Sequence, residues 1–251
     1  MKEKLLFISL LCCTVSVGAQ NVKTEEKIQD VRTYPDYYFL KIDDVASSLN
    51  LLPAPPQPGD ILFLHDQARY QWGKSQRNTS RGELAIRDAD ASAEGVCAAL
   101  SGAFGYDITE TGTPELFILV KKVVADAGDL STREAKNYYM RPRPYMLFKE
   151  GTSVPEDEEV LSHNGSYPSG HTAEGWAVAL VLAEINVANQ DAILQRGYDY
   201  GTSRVIVGYH WQSDVDNARI VASAVVARLH ADEGFVEQLA KAKAEFATLL
   251  N

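Results

Sequence analysis

Three short segments of this chain combine cationic, hydroxyl, glycine and histidine residues of the kind that can surround an oxyanion. They cover residues 136–144, 165–172 and 203–214. Lys supplies a compact positive charge, and Arg supplies a planar fork that binds two oxygens of a phosphate together. His can attack phosphorus or transfer a proton near neutral pH. These residue types together predict a site for phosphoryl transfer.

The first segment contains two candidate phosphate-binding cations, Lys136 and Arg143. A helix is predicted to begin at Ser131, which places Lys136 in its last turns. Pro142 and Pro144 force the following backbone into an extended form, so that Arg143 leaves the helix end on a rigid segment. The two side chains can then reach one anion. The alternative is a solvated basic helix end that complements its own dipole.

The second segment reads Pro-Ser-Gly-His over residues 168–171, at the predicted start of a helix near residue 170. A helix N-terminus presents unpaired N–H groups and the positive end of the helix dipole, which both favour a bound phosphate. Gly170 allows the backbone to approach that phosphate closely, and Ser169 adds a hydroxyl. His171 is predicted to face the same anion. The alternative is a histidine that caps the helix or packs in the core.

The third segment places Arg204 near the end of a helix that Gly208 should terminate, with His210 in the loop that follows. Asp214 lies four residues after His210. Its carboxylate is therefore expected to accept the Nδ1 proton and to leave Nε2 as a nucleophile. Ser213 is the expected cap of the next helix. The alternative is a local His–Asp pair that only caps this helix.

Helix signals dominate the chain after residue 60, and strand-like alternation of apolar residues is almost absent. Helix starts are predicted at Ser80 with Glu83, at Thr113 before Pro114, and at Ser131 with Glu134. Apolar spacing predicts further helices over residues 170–187, 190–207, 213–231 and 235–250. We therefore expect an all-α fold, with one compact helical domain over residues 60–251. A polar, Pro-rich and irregular N-terminal arm over residues 20–59 is expected to lie outside it.

Residues 1–19 are typical of a secretory signal peptide, with cleavage expected after Ala19. Its removal takes away two Lys and one Glu, which moves the formal net charge from −10 to −11. A protein this acidic is not expected to bind a nucleic acid polymer or an anionic membrane surface. No later apolar run has the length of a membrane span. We expect a periplasmic or secreted protein.

The sequence predicts neither a metal site nor an organic cofactor. The five His lack zinc-binding spacing, and the chain carries no phosphate-binding loop with its Lys and no glycine-rich dinucleotide turn. Cys97 is the one Cys left after cleavage, so an intramolecular disulfide is excluded. It lies in an Ala-rich apolar run, which favours a buried side chain over a nucleophile.

Taken in order, the three segments resemble the signature of the type 2 phosphatidic acid phosphatase and vanadium haloperoxidase superfamily. The matching patterns are Lys136-x6-Arg143-Pro144, Pro168-Ser169-Gly170-His171 and Ser203-Arg204-x5-His210-x3-Asp214. The longer string over residues 165–172, the signal peptide, the chain length and the Pro-rich stretch before residue 60 are similar to the class A bacterial non-specific acid phosphatases. The resemblance runs from Leu51 to Phe246.

The resemblance implies a role for each of these residues. His210 would attack phosphorus and become a phosphohistidine, Asp214 would orient it, and His171 would protonate the leaving alcohol. The phosphoryl oxygens would be held by Lys136, Arg143, Ser169, Gly170 and Arg204. The substrates would be small phosphorylated molecules, and the chain would form a homodimer or a larger homo-oligomer. An acidic optimum is expected, because His171 must carry a proton.

Two alternatives to an acid phosphatase of broad specificity stay open. The same cage would serve an apyrase-like enzyme that cleaves nucleoside tri- and diphosphates. A non-catalytic helical protein would use it only to bind an anion. Within the superfamily, the lack of spanning segments disfavours the integral-membrane lipid phosphatases, and the length of this chain disfavours the vanadium haloperoxidases, which are usually much longer.

Overall fold

A computed structural model describes residues 29–250, which form helices joined by loops, without a β-strand in this range. The all-α prediction is therefore confirmed for these residues. The predicted signal peptide and its cleavage site lie outside them. The α-helices are α1 (Ser48–Leu51), α2 (Ile61–Gln76), α3 (Ser80–Arg87), α4 (Ala93–Phe104), α5 (Pro114–Ala125), α6 (Arg133–Tyr139), α7 (Pro144–Phe148), α8 (Glu158–Ser162), α9 (Gly170–Ile185), α10 (Gln190–Val207), α11 (Gln212–Leu229) and α12 (Glu233–Leu249).

The start of α3 differs from the sequence prediction by one residue. Thr79 has the extended backbone of a cap, and its hydroxyl accepts the N–H of Gly82. Ser80 is instead the first helical residue, so the capping box predicted from Ser80 and Glu83 is wrong. The start of α5 at Pro114 agrees with the prediction, because proline fits the first turn of a helix, where no N–H is needed.

The start of α6 also differs, because a π-helical turn extends α5 over Asp126–Leu130. The hydroxyl of Ser131 donates to the carbonyl of Ala127 and therefore does not cap the next helix. Helix α6 begins two residues later, at Arg133. The predicted cap at Ser131 is wrong. Gly128 and Asp129 of the π-helical turn line the cleft that holds the candidate site.

Helices α9, α10 and α11 form the centre of the fold, and α12 packs against α5. The apolar spacing predicted all four helices, with ends that shift by two residues at most. Helices α9 and α10 cross closely: a Cβ atom on Gly175 would lie 2.2 Å from the ring of Tyr200, and one on Gly197 would lie 2.3 Å from the Cβ of Ala179. This close crossing brings the start of α9 beside the end of α10.

The N-terminal arm differs from the expectation of a segment outside the domain. Tyr38, Phe39 and Leu40 are buried in the main hydrophobic core. The buried carboxylate of Asp126, in the π-helical turn, accepts the backbone N–H groups of Phe39 and Leu40. The phenol of Tyr167 donates to the carbonyl of Pro53 in the Pro-rich stretch. The described part of the arm is therefore integrated into the helical domain.

No helix within residues 29–250 combines the length and the apolar character that a bilayer crossing requires. Cys97 is buried and free of a disulfide, and burial raises the pKa of its thiol to about 12, as expected for a structural residue.

Candidate active site

The structure brings the three predicted segments together at one cleft of about 600 Å³. The predicted residues that line it are Lys136, Arg143, Gly170, His171 and His210. The other three, Ser169, Arg204 and Asp214, are fully buried. They support the cleft wall from the ends of α9 and α10 and from the first turn of α11.

The end of α10 positions His210. Gly208 adopts a left-handed backbone with φ of 97°, which a residue with a side chain rarely adopts, and this turn ends the helix. The backbone N–H groups of Tyr209 and His210 then donate to the carbonyl of Arg204. The turn predicted at Gly208 is confirmed. It directs the imidazole of His210 back toward the cleft.

The hydrogen bonds of His210 define its tautomer. Nδ1 lies 2.9 Å from the carbonyl oxygen of Ser166, which can only accept, so the ring proton belongs on Nδ1. On the other side, Nη1 of Arg143 lies 3.1 Å from Nε2 and donates to it. Both contacts leave Nε2 with a lone pair on the side of the cations. This is the protonation state that a nucleophile requires.

Asp214 was expected to accept the Nδ1 proton of His210, but another group lies closer to Nδ1. Its Oδ2 lies 3.4 Å from Nδ1, farther than the carbonyl of Ser166. The same oxygen accepts the hydroxyl of Ser166 and the backbone N–H of Trp211. Because Trp211 is the N-cap of α11, the predicted cap at Ser213 is wrong. Asp214 therefore fixes the residues that hold the imidazole, in addition to its charge interaction with it.

The two cations of the first segment are held by backbone carbonyl groups. Nζ of Lys136 donates to Gly165 at 2.8 Å. Nε of Arg143 donates to Leu161 at 2.9 Å and to Asn164 at 3.2 Å. Carbonyl oxygens orient these side chains without cancelling their charge. Among the described residues, no carboxylate forms an ion pair with either side chain.

Arg204 is also held by a backbone carbonyl group. Its Nη1 donates to the carbonyl of Asp88 at 3.0 Å, and its guanidinium lies over the ring of Tyr209. Nε and Nη2 are buried and have no hydrogen-bond partner among the described residues. Buried donors of this kind are rare in folded proteins, because each one carries a desolvation penalty. An oxyanion is a ligand that would satisfy them.

Ser169 and His171 occupy the N-terminus of α9. Ser169 is the N-cap, and its hydroxyl oxygen accepts the N–H of Thr172 at 3.3 Å. The N–H of Ser169 donates to the carbonyl of Asp214, which joins this helix start to α11. Nε2 of His171 lies 3.1 Å from the carbonyl of Ala89, so that nitrogen carries a proton. In the neutral ring, Nδ1 is therefore the nitrogen without a proton.

Burial and the nearby cations lower the pKa values of Lys136, His171 and His210. Burial and the nearby Arg143 lower the pKa of Lys136 to about 7. Burial, with Arg143 and Lys136 beside it, also lowers the pKa of His210 well below its usual value. Burial and Arg204 do the same to the pKa of His171. Both shifts favour the neutral imidazole in the unliganded cleft, and a bound dianion would raise the pKa of His171 again.

Three residues at the site were missed in the sequence analysis. Arg141 donates to both Asp66 and Asp214, and it lies between the two predicted cations of its own segment. Ser166 holds the Nδ1 side of His210 and belongs to the second segment. Both were present in the matched strings. Asp66 gave no signal, since it lies on α2, 75 residues from Arg141.

Known proteins share this sequence over most of its length. A profile of the PAP2 superfamily matches residues 117–233. The chain is 59% identical to a non-specific acid phosphatase of Providencia stuartii, across 88% of this chain and 89% of the relative. It is 40% identical to a non-specific acid phosphatase of Salmonella typhimurium, across 82% and 83%. It is 33% identical to an acid phosphatase of Zymomonas mobilis, across 95% and 89%.

The matched profile, the relatives and the helical fold place the chain in the PAP2 superfamily. Within that superfamily, the chain belongs to the class A bacterial non-specific acid phosphatases.

Proposed function

We propose that this protein is an acid phosphatase that hydrolyses small phosphomonoesters of varied structure through a phosphohistidine at His210. One observation carries the proposal: Nε2 of His210 keeps its lone pair at a cleft whose cations, Lys136 and Arg143, are held by carbonyl groups. Such a site attracts a dianion and offers it a nucleophile. The names of the three relatives support the same reaction class.

The first step transfers the phosphoryl group to the enzyme. The lone pair on Nε2 of His210 attacks phosphorus, and the bond from phosphorus to the ester oxygen breaks with its electrons on that oxygen. His171, protonated in the complex with the dianion, gives a proton to this oxygen, and the alcohol leaves. The charge that develops on the three remaining oxygens is stabilised by Lys136, Arg143, Arg204, the Ser169 hydroxyl and the Gly170 amide.

The second step releases phosphate. His171 is neutral after the first step and takes a proton from a water molecule as the water oxygen attacks phosphorus. The bond between phosphorus and Nε2 breaks, and its electrons return to His210. Inorganic phosphate leaves with the oxygen of the water. Nε2 of His210 has its lone pair again and His171 carries a proton, as at the start of the first step.

The substitution His210→Ala tests this proposal, because it removes the nucleophile and keeps the cations. Turnover of an aryl phosphate is expected to fall by about 10⁴- to 10⁶-fold, as when other enzymes lose a catalytic nucleophile. His65→Ala is the matched control, since His65 is exposed on α2. Normal activity in His210→Ala would refute the mechanism, and wild-type protein that binds phosphate without turnover would support a non-catalytic anion-binding protein.

The leaving group decides between a monoesterase and the apyrase-like alternative. The same phosphate cage serves both, so kcat/KM for an aryl phosphate, ADP and ATP must be measured side by side at one acidic pH. A highest kcat/KM for the monoester supports the proposal. A strong preference for ATP and ADP would assign the chain to nucleotide hydrolysis instead.

Export to the periplasm or the medium is part of the same proposal and rests on residues 1–19. N-terminal sequencing of the secreted protein is expected to begin at Gln20. Retention of Met1 on the mature protein would contradict export by a cleaved signal. Assembly into a homodimer or larger homo-oligomer stays a prediction, which light scattering during size-exclusion chromatography would measure.

A further inference from the structure

Glu174 is an acidic residue in the wall of an otherwise cationic cleft, and the mechanism above does not use it. It lies on α9, one helical turn after Gly170, and lines the cleft with Lys136 and His171. The side chain is half-buried. A carboxylate beside a phosphate site opposes binding of a dianion, so its protonation state matters for ligand affinity.

The packing around Glu174 forces its carboxyl group against the backbone of the π-helical turn. A Cβ atom on Gly128 would lie only 2.1 Å from Oε1, so the carboxyl occupies the space that a side chain at that position would fill. A Cβ atom on Gly170 would lie 3.9 Å from the same oxygen and 3.8 Å from Cε of Lys136. Both side chains therefore reach the start of α9, where the phosphate is expected.

The hydrogen bonding of Glu174 is incomplete. Oε2 is buried and has no hydrogen-bond partner among the described residues. An ionised carboxylate normally needs several donors when it is buried, and a neutral one needs fewer. The surroundings therefore favour the protonated form.

Charged groups from three neighbouring elements act on Glu174. Arg204 from α10 and Lys136 from α6 attract its negative charge, and Asp129 in the π-helical turn repels it. Tyr200 of α10 also faces it. Burial outweighs the two cations and raises the pKa of Glu174 to about 8. The group is thus neutral in acid and becomes charged on the alkaline side of neutrality.

We propose that Glu174 limits anion binding to acidic and neutral pH by controlling the net charge of the phosphate site. This inference rests on the proposed function and adds the charge state of the site to it. With Glu174 neutral, Lys136, Arg143 and Arg204 act on the dianion at full strength. When Glu174 ionises, its charge offsets one of these cations and repels the ligand.

The substitution Glu174→Gln tests this inference, because Gln keeps the shape and cannot ionise. Sulfate is the probe, since this tetrahedral dianion keeps its charge between about pH 6 and about pH 9, a range that brackets the pKa of Glu174. Calorimetry is expected to show affinity falling with pH in both proteins and more steeply in the wild type. At about pH 9 the variant should bind about tenfold more tightly, the equivalent of one pKa unit.

Lys136 also titrates in this range, and it does so in both proteins. Loss of Glu174 would lower the pKa of Lys136 further, because Glu174 favours its charged form. That effect alone would weaken binding in the variant as the pH rises. A variant that binds sulfate more tightly at alkaline pH therefore reports the charge of Glu174 itself.

Glu184→Gln is the matched control, since Glu184 is on the same helix but pairs with Lys243 and His230 at its far end. Its affinity profile should follow the wild type. Parallel profiles for Glu174→Gln and the wild type would overturn the inference and leave the acid phosphatase proposal intact. Sulfate binding without monoester turnover in the wild type would overturn the proposed function instead. If Glu174→Gln misfolds, Glu174→Ala gives the same comparison.

Discussion

Arg141 and Arg143 are two residues apart in sequence, both are buried, and their surroundings are opposite. Arg141 donates to the carboxylates of Asp66 and Asp214, so its charge is compensated twice. Arg143 donates to carbonyl groups and to Nε2 of His210, so its charge is not compensated. Burial lowers the pKa of Arg143 to about 10, despite the attraction of Asp214. The same residue type is neutralised by two carboxylates in one place and has no carboxylate partner among the described residues in the other, as the proposed anion site requires.

This contrast extends to the rest of the site. Lys136 and Arg204 resemble Arg143, because carbonyl groups hold them and each charge repels that of Arg143. Arg141, Asp66 and Asp214 form the compensated region, in which each charge has an opposite partner. Asp214 also lies beside the Nδ1 atom of His210. A cluster of buried cations without carboxylate partners costs stability and is kept where a ligand supplies the missing charge. The residues that support the site are therefore paired with opposite charges, whereas the cations of the proposed binding surface are not.

The largest expected effect on stability comes from removing the cation that pairs with Asp66 and Asp214. Arg141→Met leaves Asp66 and Asp214 buried without their cation. Removal of one partner from a buried ion pair typically costs about 3–5 kcal/mol. Urea unfolding at neutral pH should show a loss of this size in the free energy of unfolding. A loss below about 1 kcal/mol would mean that the two carboxylates do not depend on Arg141.

The opposite pattern is expected for Arg143→Met. This change removes an uncompensated cation beside Lys136 but also the hydrogen bonds to Leu161 and Asn164, so the free energy of unfolding should fall less than in Arg141→Met. Loss of a donor to the developing phosphoryl charge should reduce kcat/KM by about 10²- to 10³-fold. Steady-state kinetics and urea unfolding on the same preparation test both parts. A large loss of stability with normal kinetics would reverse the assignment of the two arginines.

A smaller effect is expected from phosphate binding itself. At phosphate concentrations of about 100 times Kd, the wild type should gain about 2.7 kcal/mol in the free energy of unfolding, because the ligand binds only the folded state. Arg143→Met should gain much less at the same phosphate concentration. Equal gains in both proteins would show that phosphate binds outside the cation cluster.

The sequence predicted the elements that carry local signals. Apolar spacing and Gly208 defined α10, and the Pro-Ser-Gly-His string placed the start of α9 at Gly170. All eight predicted site residues fall at or directly behind one cleft, because each lies at or near a helix end that the sequence marks. Their chemical roles stay proposals.

The sequence did not predict contacts between distant segments. The spacing of four residues suggested Asp214 as the acceptor for His210, whereas the carbonyl of Ser166 lies closer to Nδ1. The polar composition of the arm gave no sign that the N–H groups of Phe39 and Leu40 bind the buried carboxylate of Asp126. A carbonyl group or a buried carboxylate from another segment leaves no periodic pattern, so these contacts require the structure.

The most direct measurement is identification of the phosphorylated residue during turnover. Wild-type protein and the slower His171→Ala variant are mixed with a phosphomonoester labelled in phosphorus, denatured at alkaline pH to preserve phosphohistidine, and mapped by mass spectrometry. The label is expected on His210, with more of it in His171→Ala, and none in His210→Ala. Label on another residue, or turnover in His210→Ala at the wild-type rate, would contradict the account.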